Sequence, residues 1–153
     1  MMNDTNSESQ PRLRQHPITR FEGDHHVFDL DNIATDLKNE PHAATEGHRQ
    51  IALYHYGSVT TVLFSFDEGG VLEEHQANGV VSIHVLDGAI SIGVAEHTHE
   101  LSGGQILVLS PNVRHDVRAT QASKMLLTVH LHGAKHDDAP HRDAEKDSTE
   151  RTP

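Results

Sequence analysis

From Arg49 to His132 the sequence is a succession of short apolar runs, each closed by residues that turn a chain. Arg49–Tyr56 and Val59–Phe66 are rich in β-branched and aromatic residues, and Gly57-Ser58 sits between them as a two-residue turn. Asp67-Glu68-Gly69-Gly70 is a second turn. Val71–His75 and Val80–Leu86 read as strands, and Asp87-Gly88 is a hairpin signal leading into Ala89–Ala95. A short strand near His99–Leu101, then Gln105–Leu109, Val113–Ala119 and Lys124–His132, complete the series. Short strands with frequent turn signals specify an all-β antiparallel sandwich or closed barrel.

The flanks read differently. Residues 1–28 are polar and without apolar periodicity, which predicts a flexible arm. In residues 29–48, Asp29 is a candidate N-cap, and Leu30, Ile33 and Leu37 recur at helical spacing; a short helix and a loop are expected there, the helix packed outside the domain. The barrel occupies 49–133, and the charged segment 134–153 is expected to be disordered. Hydrophobic residues make up 35% of the chain and concentrate in its middle, so the core is smaller than the length suggests.

Composition also removes several functions. The net charge of −11 repels phosphate backbones and anionic membrane surfaces, so neither is an expected partner. The absence of cysteine removes disulfides, thiolate metal sites and cysteine nucleophiles. The first ten residues resemble no signal peptide, and no apolar run is long enough to span a membrane, so a cytoplasmic location is expected.

Two segments carry a more specific pattern. Gly69, His75 and Gly88 fall on three positions of a G-x5-H-x-H-x3-E-x6-G motif, and Gly104 and His115 on two positions of G-x5-P-x-G-x2-H-x3-N. On these residues the chain resembles the cupin family. The resemblance implies a small antiparallel jelly-roll β-barrel (cupin), an assembly as a homodimer, and a pocket inside the barrel. In the family that pocket holds a metal through three histidines and a glutamate, which would make a divalent ion (Fe, Mn, Zn or Ni) the candidate cofactor. This sequence departs from the full set. Ala77 replaces the second histidine, Val81 the glutamate, Asn112 the second glycine of the second motif, and Ala119 its asparagine.

Only His75 and His115 therefore carry over, and two imidazoles make a poor metal site, since zinc takes four protein ligands in structural sites and usually three in catalytic ones. Two residues are candidates to complete it. Glu73 lies two before His75, so regular alternation would put both side chains on one face; it is either a ligand or a rim carboxylate. His84 lies three after Val81, on the opposite face of an unbroken strand, and would reach the site only through a bulge. The candidate metal ligands are thus His75, His115, Glu73 and His84. His130 and His132 share a face of the last strand, expected as a surface pair at a sheet edge, and the His97/His99 pair is expected at the surface. Among the other histidines, His16, His25, His26, His42, His136 and His141 stand in polar segments and are expected to be solvated.

The leading functional expectation is a pocket that binds a small molecule or a divalent metal around His75 and His115. Two others stand beside it: a metal-dependent enzyme of dioxygenase, isomerase or decarboxylase type, and a non-catalytic dimeric scaffold with a degenerate pocket.

Overall fold

The structure is a computed structural model, and it describes residues 23–133. The expected arm and tail, and with them His16, His136 and His141, fall wholly or largely outside the described residues. Among the described residues one helix, α1 (Leu30–Lys38), precedes nine strands: β1 (His48–Tyr56), β2 (Val59–Phe66), β3 (Val71–His75), β4 (Gly79–Asp87), β5 (Ala89–Val94), β6 (His97–Ser102), β7 (Ile106–Leu109), β8 (His115–Ala119) and β9 (Ser123–Leu131). They form two antiparallel sheets, in the orders β1-β2-β9-β4-β7 and β3-β8-β5-β6.

The core lies between the sheets. Period-two alternation sends Val81, Ile83 and Val85 of β4 inward from the larger sheet, and Ile90, Ile92 and Val117 inward from the smaller one, each of them buried. Phe64 and Phe66 stack at 5.8 Å between ring centroids and extend this layer toward β1. A second, smaller cluster covers the outer face of the larger sheet, where Ala34 of α1 packs against Leu53 and Leu63, with Leu30 and Ile33 beside them. Asp29 caps α1 by accepting from the Asn32 amide at 3.1 Å. Asp31 and Lys124 tie the helix to β9 at 2.8 Å, an exposed pairing that holds the Asp31 carboxyl below its usual range and Lys124 above its own.

At one side the sheets meet through backbone. A β-carbon on Gly70 would stand 2.3 Å from the Gly47 carbonyl oxygen, so only glycine permits that crossing. The Val71 amide donates to the Glu46 carbonyl at 2.9 Å across the same seam.

Two expectations need correction. Asp87-Gly88 is not a hairpin: β4 belongs to the larger sheet and β5 to the smaller, so the turn is a corner between sheets. Gly88 supplies the positive φ of 94° that such a corner shares with a hairpin, which is why the sequence could not tell them apart. The last strand is not an edge either, because β9 pairs with β2 on one side and β4 on the other.

Leu63 is fully buried beneath α1. Leu63→Ala should lower the unfolding free energy by about 2–5 kcal/mol, read as a shift of the urea midpoint at unchanged slope.

Candidate functional site

The site is built where β3 runs antiparallel to β8. Val71 pairs with Arg118 and Leu72 with Val117, but the next pair is His75 with His115. One extra residue is thus accommodated on β3, a β-bulge at Glu73-Glu74. Leu72 packs on the inter-sheet core opposite the buried Val117. Simple alternation from Leu72 would turn His75 outward; the bulge turns it inward, onto the face of His115. The two imidazoles stand 4.3 Å apart between ring centroids, tilted by 59°.

Both rings are anchored in the same way. His75 Nδ1–H donates to the Glu73 carbonyl at 2.6 Å, and His115 Nδ1–H donates to the Val113 carbonyl at 3.0 Å. A carbonyl oxygen only accepts, so each Nδ1 carries the proton, and in the neutral ring each Nε2 is left with a free lone pair. Each anchor is the carbonyl two residues upstream, and in each case the chain just before the histidine is irregular. For His75 this is the bulge; for His115 it is the turn in which Asn112 takes a positive φ of 63°, standing in for the glycine of the motif.

The environments differ. His75 is exposed, whereas His115 is 1% exposed, and its Nε2 is buried without a hydrogen-bond partner. Burial pushes the His115 pKa below the ordinary histidine value; the neighbouring His75 acts in the same direction, and the Val113 carbonyl and Asp116 act against it. A buried acceptor left unpaired costs roughly 1–3 kcal/mol, so the site is poised for a group that satisfies it. Ala77 and Val81, at the vacant ligand positions of the motif, are packed into the core or against it, and Val113 joins them.

The remaining candidates are placed elsewhere. Glu73 does not share a face with His75, because the bulge breaks the alternation on which that expectation rested; it reaches the histidine through its backbone carbonyl instead. Its neighbour Glu74 pairs with Arg114 at 2.9 Å on the exposed side. His84 lies on the outer face of β4, between Leu126 and Ile106, because the register of β4 against β9 runs unbroken from Gly79 to Val85. The only shift in that ladder falls after Val85, too late to re-aim His84. His130, His132, His97 and His99 are all exposed.

His48 escapes the sequence reading, and His26 departs from it. His48 opens β1, is 8% exposed, and its Nδ1–H donates to the Val71 carbonyl at 3.0 Å, which fixes the proton on Nδ1. It rests on Phe64 and Phe66 at 5.9 and 5.6 Å. The available signal was the alternation His48, Gln50, Ala52 opposite Phe66, Phe64 and Val62. His26, read as solvated, is half-buried, stacked on Phe28 and tilted against Tyr54.

Two clefts lie apart from the pair. One of about 150 Å³ runs between α1 and the start of β9, lined by Thr35, Lys38 and Lys124. The other, about 310 Å³, lies at the start of β1, lined by His42, His48 and Arg49. Neither contains His75 or His115.

Comparison with solved structures decides the fold. A cupin superfamily protein from Desulfitobacterium hafniense superposes with a TM-score of 0.57 at 20% identity, covering 80% of this chain and 94% of that one. The chain has the cupin fold. An RmlC-like cupin from Shewanella frigidimarina gives a TM-score of 0.58 at 17% identity, over 72% of this chain and 94% of its own. KdgF from Halomonas gives 0.52 at 20% identity, over 63% and 90% respectively. No protein-family model matches the sequence, and no curated protein matches it.

The described residues of this chain do not present the donor set of a metal centre. Among the described residues no three histidine, aspartate or glutamate side chains converge, and His75 and His115 alone fall short of the three or four ligands a resident ion requires. Among the described residues, too, no helix is long and apolar enough to cross a membrane.

Two outcomes follow. Deleting Glu73 should leave a regular strand with His75 still opposite His115, but should remove the anchoring carbonyl; nitrogen NMR should then show mixed tautomers at His75 and an unchanged His115. For His115, a folded-state pKa below the unfolded value of 6.5 means that the unfolded chain binds the proton more readily. Its contribution to stability is therefore complete above pH 6.5 and declines as pH falls from there toward the folded-state pKa. Urea titrations across this range should show a shallower acid loss in His115→Asn than in the parent.

Proposed function

We propose that this chain is a ligand-binding cupin whose small-molecule site is centred on His75 and His115. One observation carries the reading: an imidazole nitrogen, His115 Nε2, is buried in the domain interior with its lone pair unsatisfied, beside a second histidine held in the same tautomer. Buried acceptors without a protein partner are rare in folded proteins and are satisfied by a bound group or an ordered water. The apolar residues at the vacant motif positions favour a ligand with an apolar body.

The family's metal-dependent chemistries draw on the same two nitrogens but would need further donors from the ligand itself. Neither Glu73 nor His84 is placed to supply them. No acid–base role is assigned to the pair, since the fold hosts many activities and does not choose among them.

Untagged protein should purify with substoichiometric transition metal by elemental analysis, and native mass spectrometry should detect a bound small molecule whose retention falls in His75→Ala and in His115→Phe. Near-stoichiometric metal in the parent, lost in both variants, would instead establish a metal centre.

A further inference from the structure

We infer that the group recognised by the pair is a hydrogen-bond donor carrying two protons, a primary amine or a vicinal diol, attached to an apolar body; this rests on the reading of His75 and His115 as the ligand site. The argument begins with the anchors. Because Nδ1 of each ring is committed to a backbone carbonyl, neither neutral ring has a proton on Nε2. The two rings therefore cannot hydrogen-bond to each other through Nε2. They are two acceptors on rings whose centroids stand 4.3 Å apart, one closed to solvent and unpartnered and the other open to solvent.

Several species meet that demand in principle, and the surroundings narrow the choice. A metal ion needs donors that the described residues do not provide. A carboxylate or phosphate brings more lone pairs and would need protonated rings; burial and the neighbouring ring both oppose protonation of His115. A single hydroxyl satisfies the buried His115 Nε2 and leaves the exposed His75 Nε2 to water. A group with two protons satisfies both, as either two N–H bonds from one nitrogen or two O–H bonds from adjacent carbons. Access has a defined route. His115 Nε2 is closed to solvent, while His75 is exposed, so a ligand reaches the pair from the His75 side. Leu72, Ala77 and Val113, apolar and packed against the core, are the nearby groups able to contact a hydrocarbon body.

The test uses the full chain with its histidines isotope-labelled, at pH 8 and with a chelator present so that no metal competes for Nε2. The nitrogen spectrum should show the Nδ1–H form at both His75 and His115; an Nε2–H form at His115 overturns the proposal outright. Cyclohexylamine (at pH 8 the ammonium ion, with N–H donors for both nitrogens), cis-1,2-cyclohexanediol and cyclohexanecarboxylate are then titrated to millimolar concentrations, following the ring resonances of both histidines. The amine or the diol should shift them saturably. The carboxylate should bind more weakly by on the order of tenfold, the equivalent of one hydrogen bond to the pair. His75→Ala, a change at an exposed position, should weaken the donor by a similar factor and keeps the test valid should His115→Phe not fold. Equal or stronger binding of the carboxylate refutes the donor class while leaving the pair as the ligand site. The absence of any saturable shift from all three probes refutes both.

Discussion

The pairing of β3 with β8 is the constraint on which the rest of the site depends. Strands of this fold have one face in the core and one in water, so every side chain's destination is decided by register. Here the register is regular at Val71 and Leu72 and changes by one residue before His75. That single irregularity brings an exposed chain end inward, places one imidazole against another, and turns a backbone carbonyl toward the ring it anchors. The same step takes Glu73 out of the position that regular alternation would give it. The feature that assembles the histidine pair is thus the one that removes its most plausible carboxylate.

The pair is asymmetric in a way that suits recognition. His115 is locked in the interior at the start of β8, its anchor supplied by a turn in which Asn112 adopts a left-handed conformation. His75 closes β3 and faces solvent on one side. A buried acceptor with an exposed neighbour at its mouth differs from the metal centres of the cupin family, which surround an ion with converging ligands. The replacement of ligand positions by Ala77 and Val81 is consistent with this change, since a packed apolar wall leaves an ion nothing to bind.

Much of this was readable in the sequence because the signals are local. Asn112 substituting for glycine, the N-cap at Asp29 and the inward Ile90 and Ile92 each follow from a residue and its immediate neighbours. The failures share a different cause. Asp87-Gly88 reported a sharp change of direction but not whether the chain would return to the same sheet. His130 was expected at an edge, but strand order is set by distant segments, and β9 pairs on both sides. Glu73 was misplaced because a bulge is a property of two strands together. His48 was passed over because the rings that bury it come from β2.

The central position of β9 bears on how the chain comes to be folded during synthesis. The larger sheet joins β1 and β2 to β4 and β7 only through β9, so its two halves have no direct strand contact until Ser123–Leu131 has been made. Until then β2 and β4 each present an unpaired edge, the kind of surface that recruits other chains. The early hairpin of β1 and β2 can form alone, but the sheet itself is completed late, by long-range pairing of the kind that folds slowly. The nascent protein is therefore most open to misassociation in the interval just before its last strand leaves the ribosome.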